Sequence, residues 1–262
     1  MKPAIVVTGA SSGIGRELAR VAAREGSIMV LIGLALAALD ELVAELGRSG
    51  VQAHALSVDL ADRDAGQRIE NKLAEIGVYC DVLVNSAGFG VFGPAAEADR
   101  EAQLKLLDVN IRALTELTLR FLPGMIARRR GGVLNVSSIT GYVPGPNMAA
   151  YYASKAYVRS FTAALAAEVA GTGVTVTCLA PGVVRTAFFE QSEIGQTRLF
   201  KMAPRADAPE TAAAAWRAFR AGKRLVIPRL VNRMIAAGGK LLPDAVLLRI
   251  VSRLQRPPGA PR

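Results

Sequence analysis

Residues 8–15 of the chain read Thr-Gly-Ala-Ser-Ser-Gly-Ile-Gly, and this stretch decides the fold. It follows Ala4–Thr8, a continuous apolar and β-branched run that is typical of a strand buried on both faces. It precedes a helical pattern that extends from Ile14 to about Glu25. The three glycines allow a sharp turn, and the free N–H groups and dipole of a helix N-terminus favour an anion. The stretch therefore predicts a strand–turn–helix unit that binds a pyrophosphate, with a tight turn that has no ligand as the alternative.

Strand and helix patterns continue to alternate along the rest of the chain. The predicted strands are Ala4–Thr8, Ile28–Ile32, Gln52–Val58, Val82–Asn85, Gly132–Ser137, Val174–Leu179 and Arg224–Ile227. The predicted helices are Ile14–Glu25, Leu36–Leu46, Asp62–Glu75, Ala98–Phe121, Ala149–Ala170 and Asp207–Arg220, and Pro123-Gly124 is expected to end the fourth of them. Such alternation with right-handed crossovers predicts an α/β fold, a doubly wound, Rossmann-like parallel sheet of about seven strands.

The length of 262 residues, 51% of them apolar, fits one α/β domain rather than two domains with linkers. We assign residues 1–228 to a Rossmann-type catalytic domain that includes a substrate loop at 182–206. Residues 229–256 form a helical C-terminal extension of the same domain. Residues 257–262 are predicted to be a disordered tail.

Composition excludes several classes of protein. One histidine, His54, and two cysteines 98 positions apart, Cys80 and Cys178, do not make a zinc site, a disulfide framework or a convincing Ser-His-Asp triad, so no metal is predicted. The N-terminus does not resemble a secretory signal, and the longest uncharged apolar run, residues 27–39, is too short to span a bilayer. A cytoplasmic location is therefore expected.

Tyr151 and Lys155 lie four residues apart on a predicted helix, so both project from one face. A nearby ammonium favours the phenolate and would lower the pKa of the tyrosine. Ser138 follows the fifth strand, at the edge where open α/β sheets bind ligands. Taken alone, the pair is also compatible with an ordinary solvated helix face.

Together these features resemble the short-chain dehydrogenase/reductase family over about Ile5 to Thr186. The motifs that carry the resemblance are Thr8–Gly15, Asp59, Asn85-Ser86-Ala87-Gly88, Asp108-Val109-Asn110, Ser138, Tyr151-x-x-x-Lys155 and Pro181-Gly182-Val183-Val184-Arg185-Thr186. One departure is Ser86, where the family pattern has asparagine. The motifs occur in the family's order and spacing, which is far more specific than any one of them.

The resemblance implies a role for each member of a catalytic tetrad. Tyr151 would be the general acid/base, and Lys155 would bind the nicotinamide ribose and lower the pKa of the tyrosine. Ser138 would hydrogen-bond the substrate oxygen, and Asn110 would hold a water of a proton relay. The implied cofactor-binding residues are Gly9, Ser11, Ser12, Gly13, Ile14, Gly15, Gly33, Leu34, Asp59, Leu60, Asn85, Ala87, Gly88, Tyr151, Lys155, Pro181, Gly182, Val184 and Thr186.

The choice between NAD and NADP depends on the residues after the second strand, Gly33-Leu34-Ala35. An NAD-preferring relative places an acid there for the ribose 2′-hydroxyl, and an NADP-preferring relative places a base there or at the position of Ser12. This chain has neither, so we expect weak discrimination, with NADP slightly favoured.

The substrate would contact mostly apolar side chains: Ile139, Val143, Pro144, Met148, Phe188 and Phe189. A lipophilic ketone, aldehyde or secondary alcohol is therefore favoured. One alternative is a 3-oxoacyl reductase acting on acyl chains carried by an acidic protein or coenzyme A. Another is a dinucleotide-binding scaffold without activity, which the intact tetrad argues against. The family also implies a homodimer or homotetramer formed through the two long helices.

Positive charge is concentrated in the C-terminal quarter. Residues 198–262 hold 14 lysines and arginines but three acidic residues, whereas the whole chain has a net charge of +10. Val246, Leu247, Ile250 and Leu254 are predicted to share one apolar helix face, with Arg249, Arg253 and Arg256 on another. These helices either cover the sheet edge or a subunit interface, or bind an anionic membrane peripherally. Nucleic acid is not expected, because no aromatic residues alternate with the arginines.

Overall fold

A computed structural model describes residues 1–185 and 205–255. Within these ranges seven parallel strands form one sheet in the order β3-β2-β1-β4-β5-β6-β7. The strands are β1 (Lys2–Thr8), β2 (Ile28–Gly33), β3 (Ala53–Ser57), β4 (Val78–Asn85), β5 (Gly132–Val136), β6 (Thr175–Leu179) and β7 (Leu225–Val226). The predicted doubly wound, Rossmann-like sheet is thus confirmed, and its order reverses between β1 and β4, where such sheets bind ligands.

The connecting segments are mainly helical. The helices are α1 (Gly13–Ala23), α2 (Leu36–Arg48), α3 (Ala65–Glu75), α4 (Arg100–Leu107), α5 (Leu114–Ala127), α6 (Ala149–Glu168), α7 (Ala208–Arg220), α8 (Leu230–Leu241) and α9 (Asp244–Gln255). A π-helical turn, Asp108–Ala113, joins α4 to α5, and a short 3₁₀ helix, Ile139–Tyr142, follows β5. The structure therefore contains both C-terminal helices of the predicted extension.

Each face of the sheet has its own apolar core. On one face, α3, α5 and α6 pack on the strands, and Leu83 and Val133 are fully buried there. On the other face, α1, α2 and α7 pack on the strands around Leu31 and Leu134. Trp216 of α7 is buried in that second core, and its indole Nε1–H donates to Glu25 Oε1 at 2.8 Å. Two covered faces explain why the strands read as continuous apolar runs.

The long helix predicted over Ala98–Phe121 differs in the structure. It is divided into α4, the π-helical turn and α5, and α5 continues through Pro123 to Ala127. Proline removes one hydrogen bond, which the carbonyl of Leu119 would have accepted. Leu119 is 56% exposed, so water can satisfy that carbonyl and the helix tolerates the proline.

Strand β4 begins four residues earlier than predicted, at Val78. Cys80 therefore lies within this strand rather than before it, and burial raises the pKa of its thiol. The polar Asp81 interrupts the apolar pattern, and its Oδ2 forms an ion pair with Arg130 at 2.9 Å.

Over the described ranges, no helix combines the length and apolar character needed to cross a bilayer.

Candidate active site

The glycine-rich stretch forms the predicted turn between β1 and α1. Gly9 has a φ of +67°, and a Cβ at this position would lie 2.8 Å from the backbone N and Cα of Ala87. A Cβ on Gly15 would collide with the carbonyl oxygen of Gly9. Both positions thus require glycine, because the turn packs backbone against backbone.

The N-terminus of α1 offers backbone N–H groups that can bind an anion. Its N-cap residue, Ser12, makes no side-chain capping hydrogen bond, and the first turn of the helix carries no acidic residue. The first N–H groups of a helix have no partner within the helix and lie at the positive end of its dipole. This arrangement suits a phosphate group of a ligand.

Thr8 connects the glycine-rich turn to the segment after β4. Its hydroxyl oxygen accepts hydrogen bonds from the backbone N–H groups of Ser86 at 3.1 Å and Ala87 at 3.2 Å. The same hydroxyl donates to the carbonyl of Val84 at 3.3 Å. One buried side chain, that of Thr8, therefore joins the glycine-rich motif to the Asn85-Ser86-Ala87-Gly88 motif.

A cavity of about 390 Å³ extends along the carboxyl ends of the strands from this turn to Tyr151. Most of the residues predicted from the sequence line it: Gly9, Ser11, Ser12, Gly13, Ile14, Gly15, Gly33, Leu34, Asp59, Leu60, Ala87, Gly88, Ser138, Tyr151, Lys155, Pro181, Gly182 and Val184. Thr186, Phe188 and Phe189 lie outside the described residues. The structure thus brings together groups that are up to 175 positions apart in the chain.

The sequence predicts that Asn85 binds cofactor, but its side chain does not line the cavity. Its amide Nδ2 donates to Thr118 Oγ1 at 3.1 Å and to Asn135 Oδ1 at 2.9 Å. Asn135 in turn donates to Thr162 Oγ1 at 3.0 Å. These buried hydrogen bonds connect β4 and β5 to α5 and α6, so Asn85 holds the sheet and the two helices together, while the neighbouring Ser86 lines the cavity.

Asp59 is fixed at the cavity wall by two contacts. Its Oδ1 accepts the N–H of Ala61 at 2.9 Å, and its Oδ2 lies 2.7 Å from Lys105 Nζ. Burial acts to raise the pKa of Asp59, but the hydrogen bond from Lys105 and that from the backbone leave this pKa below its usual value. Lys105 also lines the cavity, and no sequence motif marks it.

Helix α6 places Tyr151 and Lys155 on one face toward the end of β5. The hydroxyl of Ser137 donates to the carbonyl of Lys155 at 2.7 Å and ties the helix to the strand. Lys155 Nζ donates to the carbonyl of Val136 at 3.1 Å and lies 5.7 Å from the centre of the Tyr151 ring. Ser137 therefore positions α6, and with it Lys155, against the end of β5.

The expected lowering of the Tyr151 pKa is not found in the protein alone. Burial raises this pKa to about 12, and the hydroxyls of Ser138 and Thr140 oppose the shift by hydrogen bonding to the phenol. Burial also lowers the pKa of Lys155 to about 8. The sequence showed the spacing of the two groups but not the desolvation that both undergo.

Ser138 and Thr140 are held by the 3₁₀ helix that follows β5. Ser138 is the N-cap residue of this helix, and its Oγ accepts the N–H of Thr140 at 3.1 Å. The Oγ1 of Thr140 is also buried, and it faces the phenol of Tyr151. Thr140 is therefore a second hydroxyl beside Tyr151 that sequence reasoning missed.

Asn110 lies in the π-helical turn rather than on the cavity wall. Its amide group donates to the carbonyl of Phe89 and accepts the N–H of Phe89, both at 3.1 Å, and it donates to Ser154 Oγ at 3.0 Å. A Cβ on Gly88 would lie 2.9 Å from Asn110 Oδ1 and 3.3 Å from Lys155 Nζ. Asn110 therefore approaches Lys155 while it fixes the segment after β4.

Apolar residues from three parts of the chain meet beside Tyr151. Met148, Tyr151 and Tyr152 pack with Val251 of α9, and Val143 packs against the same cluster. The hydroxyl of Tyr152 accepts a hydrogen bond from Gln255 Nε2 at 2.7 Å. The last described helix thus packs beside the candidate catalytic residues, a contact over 103 positions that no local pattern indicates.

The fold is that of a dinucleotide-binding protein, with a candidate acid/base site formed by Ser138, Tyr151 and Lys155. Comparisons with known proteins agree with this description. A family model described as short chain dehydrogenase matches residues 3–196. A short chain dehydrogenase of Pseudocercospora fijiensis is 39% identical over 193 residues, which cover 72% of this chain and 60% of that protein. Dehydrogenase/reductase SDR family member 7B of Bos taurus is 37% identical over 188 residues, which cover 70% of this chain and 58% of that protein.

A solved structure gives the same result for the fold. A short-chain dehydrogenase from Sphingobium yanoikuyae, in complex with NADPH, is 30% identical with a TM-score of 0.81, and the match covers 91% of this chain and 93% of that chain. The chain therefore belongs to the short-chain dehydrogenase/reductase family of oxidoreductases. It spans about three fifths of the length of the first curated relatives that it matches.

Proposed function

We propose that the protein is an NAD(P)-dependent oxidoreductase that transfers hydride between the nicotinamide and a carbonyl compound or secondary alcohol. The observation that carries this proposal is the meeting of Ser138, Tyr151 and Lys155 at one end of the cavity that begins at the glycine-rich turn. Such a cavity can hold an extended ligand with its phosphates at one end and its reactive ring at the other.

The residues present fit a nicotinamide dinucleotide. The free N-terminus of α1 suits the pyrophosphate. Asp59, whose lowered pKa keeps it ionised at neutral pH, lines the part of the cavity that would receive the adenine. Lys155, at the far end, would bind ribose hydroxyls. When bound, the cofactor supplies or accepts the hydride.

In the reductive direction, Tyr151 would donate its proton to the carbonyl oxygen. A pKa of about 12 keeps the phenol protonated at neutral pH, as a proton donor requires. Ser138 would donate a hydrogen bond to the same oxygen and stabilise its developing negative charge. Asn110, beside Lys155, would hold a water that connects Lys155 to solvent as a proton relay.

The substrate proposed is a lipophilic ketone, aldehyde or secondary alcohol. Phe89 and Val109 give the cavity wall apolar surface, which supports this choice. Phe89 in turn packs against the apolar cluster of Met148, Tyr152 and Val251 beside Tyr151. The second candidate is a 3-oxoacyl thioester, for which the basic C-terminal quarter would provide a dock for an acidic carrier.

The test is a panel of carbonyl substrates assayed with both NADH and NADPH. Turnover of free aliphatic or aromatic ketones above that of acyl thioesters would support the first candidate, and the reverse order would support the second. Tight binding of either cofactor with no turnover of any carbonyl would instead favour the non-catalytic scaffold.

Replacing Leu34 with arginine is expected to tighten NADPH binding far more than NADH binding. Leu34 lines the cavity, is 64% exposed and follows β2, where the adenosine 2′ position is expected. A guanidinium there can form a charge-assisted contact with a 2′-phosphate, on the order of tenfold or more in Kd. Fluorescence titration with both cofactors measures the ratio.

Leu36→Arg is the matched control, because Leu36 is 49% exposed and lies two residues further along but does not line the cavity. It adds the same charge and should leave the NADPH/NADH ratio nearly unchanged. Equal tightening of both cofactors by Leu34→Arg would show that the 2′ site lies elsewhere.

We also propose a homodimer or homotetramer that pairs through α5 and α6. Leu119 of α5 and Tyr157 of α6 are exposed apolar side chains on these helices. The Tyr157 hydroxyl lies 2.9 Å from Thr115 Oγ1, which positions the ring on this surface. The cytoplasmic location stays a prediction.

A further inference from the structure

Helix α8 exposes more apolar surface than it buries. Asn232 and Ala236 face inward, and Gly239 lies against the backbone of Tyr142. On the outward side, Leu230, Met234 and Leu241 are 71%, 66% and 81% exposed. These three residues follow helical spacing, so they form one continuous apolar stripe.

Helix α9 follows α8 in the chain and also exposes apolar side chains. Its buried residues are Leu247, Val251 and Gln255, and Gln255 reaches inward to the hydroxyl of Tyr152. Of the residues predicted to share one apolar face, Leu247 is buried, whereas Val246 and Ile250 are exposed, as is Leu248. The apolar face of α9 is therefore only partly covered by the rest of the protein.

Basic side chains flank both exposed apolar stripes. The lysines and arginines between 229 and 255 are Arg229, Arg233, Lys240, Arg249 and Arg253, against a single acidic residue, Asp244. A second copy of the chain docking by a two-fold axis would bring these like charges together. The charge therefore selects an anionic partner over self-association.

We propose that α8 and α9 form a peripheral docking surface for a lipid bilayer that contains anionic phospholipids. Long apolar side chains flanked by arginine and lysine are what a helix needs to lie in the interface, with the apolar face in the acyl boundary and the charges among the headgroups. Each helix has 12 residues, which suits lying on a membrane rather than crossing it.

This surface lies directly behind the candidate active site. The inner side of α9 contributes Val251 to the cluster that contains Tyr151, and Gln255 holds Tyr152. A docked α9 would therefore place the apolar cluster beside Tyr151 close to the lipid from which a lipophilic substrate partitions. This consequence rests on the proposed function, whereas membrane docking itself does not.

The experiment is co-sedimentation of the full chain with vesicles of phosphatidylcholine alone or with added phosphatidylserine, at low and at physiological salt. Neither cofactor nor substrate is present, so the result is independent of turnover. We expect binding to the anionic vesicles only, weakened by salt. Arg249→Gln/Arg253→Gln should lower the partition coefficient on the order of tenfold or more.

The charge-matched control is Arg48→Gln/Arg63→Gln, which removes two exposed arginines near the β3 edge of the sheet. It should bind like the parent. Met234→Ser/Leu241→Ser removes apolar surface without changing charge, and it should weaken binding to a similar extent. Far-UV circular dichroism and Tm confirm that each variant is folded.

Equal binding to neutral and anionic vesicles, no binding to either, or an equal loss in the control pair would overturn the proposal. If Met234→Ser/Leu241→Ser instead converts an oligomer to a smaller species while the parent ignores vesicles, the surface is an interface between copies. Vesicle binding by a protein that reduces no carbonyl would leave docking intact and reject the proposed function alone.

Discussion

Replacing Tyr151 with phenylalanine is expected to lower kcat by ~10²–10⁴-fold, because the variant lacks the phenolic proton that the carbonyl oxygen must receive. The aromatic ring remains in its apolar cluster, so the fold and the cofactor cavity should persist. Stopped-flow or steady-state kinetics give kcat, and fluorescence titration gives the Kd of the cofactor. We expect that Kd to change by no more than a few-fold.

Tyr152→Phe is a close control. The two tyrosines are adjacent, both are buried, and their rings are 6.2 Å apart. The hydroxyl of Tyr152 is bonded to Gln255, away from Ser138 and Lys155. Its removal should cost stability but retain most of the turnover. Near-parental kcat in Tyr151→Phe together with a large loss in Tyr152→Phe would mean that Tyr152, and not Tyr151, is the general acid/base.

The fold could be predicted because its signals are local. Strands such as β1 and β2 are buried on both faces, so each reads as an uninterrupted apolar run. The turn at Gly9 packs its backbone against that of Ala87, so this position requires glycine, and the glycine is visible in the sequence. Boundaries were less predictable where a local break is compensated by a distant residue, as for Asp81 in β4, or by solvent, as for Pro123 in α5.

The site could be predicted only in part, because several of its contacts join elements that are distant in the sequence. Lys105 reaches Asp59 across 46 positions, and Gln255 reaches Tyr152 across 103. Asn85 belongs to a recognisable motif, yet its side chain turns into the interior and bonds Asn135. A motif thus fixes which residues are present, while packing decides which way each side chain points.

The electrostatics of Tyr151 and Lys155 show the same limit. Spacing along a helix indicates that an ammonium and a phenol share a face, and proximity alone would lower the pKa of the phenol. Burial of both groups dominates in the protein itself, with the pKa of Tyr151 raised to about 12 and that of Lys155 lowered to about 8. The two shifts mark the pair as a functional site, because burying an ammonium that has no ion pair among residues 1–185 and 205–255 is costly.

Lys155→Met is therefore expected to stabilise the protein while it impairs catalysis. The pKa of Lys155 is about 8 in the folded protein, against the ordinary 10.5 of a lysine side chain in water. Below pH 8 both states hold the proton, and burying the charge costs the folded state up to about 3 kcal/mol. Between pH 8 and 10.5 the unfolded state binds more protons, so this cost falls as the pH rises. A methionine at this position has no charge, so the variant does not incur the cost of burying one.

The free energy of unfolding, measured by denaturant titration at pH 7 and pH 10, tests this sign. The advantage of Lys155→Met over the parent should be largest at pH 7 and should shrink toward pH 10, reduced throughout by the lost hydrogen bond to Val136. Ionisation of Cys80 affects both proteins alike and cancels, whereas the thiol of Cys178 interacts with Lys155, so both proteins carry Cys178→Ala. Lys105→Met is the control. The hydrogen bond with Asp59 raises the pKa of Lys105, so this side chain keeps its proton between pH 7 and pH 10. A difference that is flat with pH, or that grows toward pH 10, would mean that the ammonium of Lys155 is not desolvated in the fold. The loss of kcat would then have to arise from ribose contacts alone.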